Sequence, residues 1–417
     1  MSALPWDPQT TAVVAIFAVV YLGMVLGGLP RLRLDRTGVA LLGAIAIVGL
    51  GEQSVEEAAQ GIHLPTILLL FSFMVISAQM RLGGFYAAVT RRIAALPLSP
   101  ALLLGVVIFV TGALSAVFSN DVVCLAVAPV LVQACLARRL DPVPFLLALA
   151  CASNIGSAAT LIGNPQNMLI GEVLQLPFGA YARNALPPVL LSLLLLWLML
   201  ARSARPAAPG ALGALVPADD EVPPYDAWQT GKGLAVAAAL VAVFLFTDWP
   251  RDVAALVGAG VLLLSQRFHS SQMMGLVDWE LLVLFMGLFV VNHALQHTGV
   301  TAQTVAWLQA QGLHLGEPGP LFASTLLLSN LVSNVPAVML LLPVAAGTDP
   351  AVTGLTLALV STLAGNLLIV GSIANIIVVD AARRQGVLID WRRHARTGVP
   401  VTLATLALTA GWLAVIH

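Results

Sequence analysis

Charge is the scarcest property of this chain. Only 9% of its 417 residues are Asp, Glu, Lys or Arg, against about 25% in soluble domains, while 59% are hydrophobic. That balance excludes a soluble globular protein and leaves no stretch for a separate soluble domain. The formal net charge of -1, with no basic patch and no phosphate-cradling loop, excludes nucleic acid as a partner. Cysteine is scarce too. Cys124, Cys135 and Cys151 all fall in apolar segments without CxxC spacing, so they read as reduced packing residues rather than a disulfide framework, with thiol ligation of arsenic(III) as the weaker reading. The opening "MSALPWDPQT" lacks a basic n-region and carries Asp7, so the first apolar segment reads as a retained span rather than a cleaved signal.

What is present is a succession of apolar stretches of about 15 to 20 residues, each able to cross or nearly cross a hydrocarbon core of about 30 Å. One long polar linker, Arg202 to Gly231, with Pro206, Pro209, Pro217, Pro223 and Pro224, divides them in half. Cytoplasmic loops carry the basic excess. With the N-terminus outside, "RLRLDR", Arg81, Arg91, Arg92, Arg138, Arg139, Arg202, Arg205, Lys232, Arg267, Arg383, Arg384, Arg392, Arg393 and Arg396 fall inside, leaving Arg183 and Arg251 outside. That requires residues 100 to 137 to enter and return as a re-entrant hairpin, with Ser119-Asn120-Asp121 at its tip. Irregular backbone at that depth needs protein or a watery cavity to satisfy its polar groups.

The second half repeats the first. Ser115, Ser119, Asn120, Pro129 and Val130 match Ser329, Ser333, Asn334, Pro343 and Val344 at one constant offset. With five crossings and one non-crossing hairpin per half, the crossings are odd in number and the halves must be inverted. The expected fold is therefore an all-α polytopic membrane protein of two inverted repeats. The first is 1–201, with its hairpin at about 100–137 and a broken helix at about 143–175. A cytoplasmic linker, 202–231, precedes the second, 232–417, with a hairpin at about 319–346 and a broken helix at about 351–382.

After each hairpin an Asn, Asn154 or Asn366, precedes a polar break. The breaks are Gly163-Asn164-Pro165-Gln166-Asn167 and Gly371-Ser372-Ile373-Ala374-Asn375. Gly, Asn and Pro within a span free backbone groups and end one half-helix before the next begins. Half-helix N-termini attract anions, and unwound carbonyls with Asn or Ser oxygens suit Na+, so no cationic side chain is required.

Asp121 is the exception among neutral neighbours: an ionised carboxylate at bilayer depth costs about 2.5 to 3.5 kcal/mol unless paired or protonated. It reads as the group that binds a coupling cation or carries a coupling proton, or as a cap on the second hairpin helix. His293 and His297, four apart, have a spacing that metal sites use, but lack a third ligand and read as an interfacial pair. Asp380 reads as a helix-end partner of Arg383 or Arg384. The stretches from Gly84 and from Val300, each just before a hairpin, could lie in the membrane plane.

At "SNDVVCLAVAP", "ATLIGNPQN", "SNLVSNVPAVMLLLP" and "GSIANIIV" the chain resembles the ion transporter superfamily. That superfamily holds arsenite pumps, one type of sodium/proton antiporter and the divalent anion:sodium symporters, and the likeness is greatest to bacterial anion permeases of the last kind. The resemblance spans essentially the whole chain. It implies a homodimer with an elevator-type transport domain moving against a scaffold; the expected place is the bacterial cytoplasmic membrane, multi-pass, with both termini outside by the distribution of basic residues. By position it implies substrate contacts from Ser119, Asn120, Ser333, Asn334, Asn164, Asn167, Ser372 and Asn375. The coupling cation falls to Asp121, Asn120, Asn154, Gly163, Asn334, Asn366 and Gly371. Position 121 is Asp and 335 is Val where the dicarboxylate group has Thr, and an Asn-Asp tip resembles the arsenite-pump and antiporter branches. "GNPQN" departs from the antiporter pattern.

The expected function is cation-coupled secondary active transport of a small anion, a dicarboxylate or inorganic oxyanion, with Na+ or H+ as coupling ion and no other cofactor. The alternative is arsenite export or Na+/H+ exchange. A channel would place its filter on an axis between subunits, and an intramembrane enzyme would need a nucleophile and base or a full metal set, neither of which the sequence offers.

Overall fold

Ten side-chain acceptors placed just ahead of apolar runs set the helix starts. Asp7, Asp35, Ser54, His63, Ser99, Asp141, Asp226, His269, Asp278 and Asp349 each accept a first-turn N–H, and Pro8, Pro100, Pro142 and Pro350 sit where a missing N–H costs nothing. The computed structural model describes residues 7–29, 32–206, 223–347 and 349–416. The middle of the expected linker, 207–222, with Pro209 and Pro217, and Arg31 of "RLRLDR" lie outside the described residues.

The first half contains α1 (Pro8–Leu26), α2 (Arg36–Gly49), α3 (Val55–Gly61), α4 (Leu64–Leu82), α5 (Phe85–Ala94), α6 (Pro100–Val117), α7 (Asn120–Ala137), α8 (Pro142–Ser157), α9 (Pro165–Val173) and α10 (Phe178–Leu200). The second contains α11 (Ala227–Phe246), α12 (Arg251–Leu263), α13 (Ser270–Met274), α14 (Trp279–His297), α15 (Val300–Ala310), α16 (Pro318–Val332), α17 (Asn334–Leu341), α18 (Pro350–Ala364), α19 (Ile373–Arg384) and α20 (Trp391–Ile416). Among the described residues eight helices are long and apolar enough to cross a membrane, and no strand forms beyond one isolated bridge, Leu140 to Pro206. The chain is an all-helical polytopic membrane protein.

The two halves agree in local chemistry as well as in order. The short helices α3 and α13 both start with a capping box, Ser54 with Glu57 and His269 with Gln272. Gly84 and Gly299 precede α5 and α15 with φ of 69° and 72°, a left-handed turn that a side chain would strain. Packing crosses between halves: α4 lies against α12 and α2 against α14. The hairpin arms α6 and α7 pack on α8, α16 packs on α18, and α7 also meets α19.

Candidate functional site: two hairpin tips and two helix breaks

Each broken helix is held open by an asparagine in the first turn after the break. Asn167 Nδ2 donates to the carbonyls of Ser157 (3.4 Å) and Thr160 (3.0 Å). Asn375 Nδ2 donates to the matching carbonyls of Gly365 (2.8 Å) and Leu368 (3.0 Å). The next freed carbonyl is also taken in both halves: Tyr181 Oη donates to Ala158 O (2.8 Å), and His394 Nε2 bonds Asn366 O (3.1 Å). Tyr181 and His394 are the fourth residues of α10 and α20, so the correspondence extends to the flanking spans. Unwound backbone is thus satisfied by side chains, as burial demands.

The breaks are joined through a buried hub. Asn154 Oδ1 accepts from Asn120 Nδ2 (3.0 Å) and Ser372 Oγ (2.9 Å). Asn154 Nδ2 donates to Asn366 Oδ1 (2.9 Å) and Asn375 Oδ1 (3.3 Å). One amide of the first half therefore ties its own hairpin tip to the break of the second half. Thr362 in α18 mirrors it: its Oγ1 accepts from Asn164 Nδ2 (3.2 Å) and Gln166 Nε2 (3.2 Å), both in the first break. Asn154, Asn164, Asn167, Asn366, Asn375 and Thr362 are all buried.

The sequence pairing of Asn154 with Asn366 needs correction. Asn154 lies within α8 while Asn366 lies beyond the end of α18, so the repeat partner of Asn154 is Thr362. The two asparagines meet because the halves cross, not because they correspond. Sequence reasoning also missed Ser157, Thr362, Tyr181 and His394. Thr362, at the spacing from Asn375 that Asn154 has from Asn167, was the available signal.

At the first tip, Asn120 N donates to Gly163 O (3.3 Å), which fastens the hairpin to its break. Gly163 is buried so tightly that a Cβ there would collide with Ser157 O and lie 2.7 Å from Ser115 O. At the second tip, no corresponding bond joins Asn334 to Gly371 among the described residues, and a Cβ on Gly371 would lie 3.1 Å from Gly365 O. Ser119 and Ser333 are half-buried and make no side-chain hydrogen bond among the described residues. Ser333 holds φ 78° and ψ 162°, a conformation nearly confined to glycine. Buried oxygens without a protein partner gather at both tips: Ser115 Oγ and Asn120 Oδ1 at one, Ser329 Oγ, Asn330 Oδ1 and Asn334 Oδ1 at the other.

Asp121 does not cap α7. It is half-buried, accepts no hydrogen bond and forms no ion pair among the described residues. A cavity of about 450 Å³ between α5, α7 and α19 is lined by Tyr86, Leu125, Pro129, Asp380 and Arg384; Leu125 is four residues along α7 from Asp121. Asp380 pairs with Arg384 at 2.7 Å.

The three cysteines are buried and free, with Cys124 Sγ donating to Ser153 Oγ (3.0 Å). Arg251, read as an outside charge, is tucked in: its Nε meets Glu172 at 2.8 Å, and its terminal nitrogens donate to Leu176 O (2.9 Å) and Gly171 O (2.7 Å). That pair ties α12 to α9, the second half of the first broken helix.

Paired hairpins and mutually braced helix breaks inside an all-helical bundle define a membrane transporter rather than a soluble or structural protein. The chain belongs to the citrate transporter family, CitMHS, whose family model matches residues 12–364. It is 30% identical to the uncharacterized transporter MT2759 of Mycobacterium tuberculosis, over 91% of this chain and 94% of that one. It is 29% identical to the silicon efflux transporter LSI3 of Oryza sativa, covering 97% and 98%, and 23% identical to the putative transporter arsB of Dictyostelium discoideum, covering 96% and 91%. In fold it is similar to the YdaH transporter of Alcanivorax borkumensis, with a TM-score of 0.58 at 14% identity over 98% of this chain and 97% of that one.

Proposed function

We propose that the protein is a cation-coupled secondary transporter of a small anion, a dicarboxylate or an inorganic oxyanion. The observation that carries this reading is the pairing of two features at the tips and breaks. α7, α17 and α19 begin without a side-chain cap, which leaves first-turn N–H groups to an anion, apart from Asn120 N at the first tip, which Gly163 O takes. Beside them stand the unpartnered oxygens of Asn120, Asn334, Ser115 and Ser329, which suit a desolvated Na+. Neutral amides and hydroxyls lose hydration more cheaply than fixed charges, so such a site can load and release within one cycle.

In this reading Ser119, Asn120, Ser333 and Asn334, with Asn164, Asn167, Ser372 and Asn375, hold the anion. Gly163, Gly371, Asn154, Asn366 and Asp121 supply the cation side. The hairpins and broken helices move as a unit against α1, α2, α4, α11, α12 and α14, in a homodimer in the cytoplasmic membrane with both termini outside.

Solid-supported-membrane currents from proteoliposomes test it, with jumps of dicarboxylates, sulfate, phosphate and arsenite, with and without Na+ and at two pH values. A Na+- or pH-dependent current with one anion supports symport. Currents from Na+ or pH jumps alone, indifferent to every anion, would contradict it.

One observation favours a second reading, export of a small oxyacid or of Na+ against protons. The half-buried Asp121 has no partner to fix its charge, as a proton-exchanging site requires, and a silicon efflux transporter is among the similar proteins.

A further inference from the structure

A cavity of about 460 Å³ lies at the end of α14, shares no lining residue with the cavity beside α7, and is lined by Asp7, Glu52, Gln53, Glu57, His293 and His297. The helical spacing of the two histidines brings their imidazoles together with Nε2 to Nε2 at 3.1 Å. A tetrahedral zinc-class ion bound at 2.0 to 2.1 Å by two imidazole nitrogens holds them about 3.3 Å apart. The pair therefore has the separation of a chelate.

The surroundings fix one ring. Gly61 lies flush on it, since a Cβ there would be 2.7 Å from His293 Cγ. The Gln53 amide meets His293 Nδ1 at 3.0 Å through Nε2, while its Oε1 is buried with no partner. Turning that amide over places the carbonyl oxygen on Nδ1, satisfies it, and leaves the proton on Nδ1. The Nε2 lone pair then points at His297, the tautomer that metal-ligating histidines adopt when an outer carbonyl orients them. That lone pair is met at 3.1 Å either by a proton on His297 Nε2, as a hydrogen bond between the rings, or by a cation that displaces this proton and is held between the two nitrogens.

The fold itself does not demand this pair. In the first half, the matching positions of α4 are Ala78 and Leu82, and the opposing residue for Gln53 is Phe268. Among the described residues no third ligand already points at the imidazoles. Glu57 is exposed beside them, and the two histidines both act electrostatically on its carboxylate, which caps α3 through Ser54 N at 2.8 Å.

We propose that His293 and His297 form a binding site for a Zn2+-class divalent ion, completed by Glu57 turning from its cap and by water, and oriented by Gln53. The site is separate from the hairpin tips and serves no step of transport described above.

The test uses full-length protein in nanodiscs, purified without a polyhistidine tag, stripped with chelator and titrated with Zn2+ by calorimetry. Co2+ absorption serves as a second readout. One ion per chain with imidazole-type Co2+ bands is expected. The double variant His293→Ala/His297→Leu installs the residues that the other half already tolerates, so it should elute as the native protein while losing affinity by 100-fold or more. Gln53→Leu should weaken binding about tenfold, the low end for an orienting partner. No Zn2+ retained by the native protein, or Zn2+ binding unchanged in the folded double variant, would overturn the proposal.

Discussion

The two hairpin tips share Ser-Asn and differ in almost everything that holds them. Asn120 is fastened twice, by its backbone to Gly163 O and by its side chain to the Asn154 hub. Asn334 has neither bond among the described residues, and the serine before it sits in a backbone conformation costing about 1 to 3 kcal/mol. The return helices differ too: α7 runs 18 residues through Pro129, whereas α17 stops after 8 and continues as a 3-10 turn containing Pro343. The lesson is that a repeat conserves the position of polar groups without conserving their load. The first tip is preorganised by the protein; the second stores strain and has hydrogen-bonding capacity left for a ligand.

The largest expected effect separates the two breaks. Gly163→Ala forces a methyl into two carbonyl oxygens and should abolish assembly of active protein, read as loss of the monodisperse peak in detergent. Gly371→Ala, where the nearest oxygen can yield by a few tenths of an ångström, should leave folded protein. Next is the hub. Asn154→Ala strands Asn120, Ser372, Asn366 and Asn375, and with a buried unpaired group costing about 1 to 3 kcal/mol it should lower stability by at least about 3 kcal/mol. Thr362→Val keeps shape and should cost about half as much, because only one acceptor is removed. Thermal unfolding of the two variants side by side checks this.

Smaller effects divide the tips themselves. Asn120→Ala should destabilise by about 1 to 2 kcal/mol and Asn334→Ala by less than about 0.5 kcal/mol, since only the first breaks hydrogen bonds already made. Opposite in sign is Ser333→Gly, which should stabilise the protein by about 1 kcal/mol through relief of strain, while Ser119→Gly, at φ -52°, should destabilise it slightly. Equal shifts at 119 and 333 would remove the asymmetry from the account.

Much of this was legible because its signals are local. Ser-Asn at one register, Gly-led breaks, Pro at helix starts and apolar run lengths each act within a few residues, so the helix ends at Ser119, Ser333, Asn164 and Ser372 could be read from the chain alone. The cross-bracing could not. Asn154 meets Asn366 and Asn375 because the halves interlock, and no spacing within either half encodes that contact. The strain at Ser333 was equally hidden, since serine carries no sign of the glycine-like backbone it adopts. Glu172 carries no signal in its neighbouring residues, and only packing shows it buried against Arg251.

The central claim is that both tips, unequal as they are, serve one transport site. Ion- and anion-evoked currents from proteoliposomes of Asn120→Ala and Asn334→Ala, matched for inserted protein, test it most directly. Both variants are expected to be silent although Asn334→Ala is as stable as the native protein; full current from either would contradict a shared site.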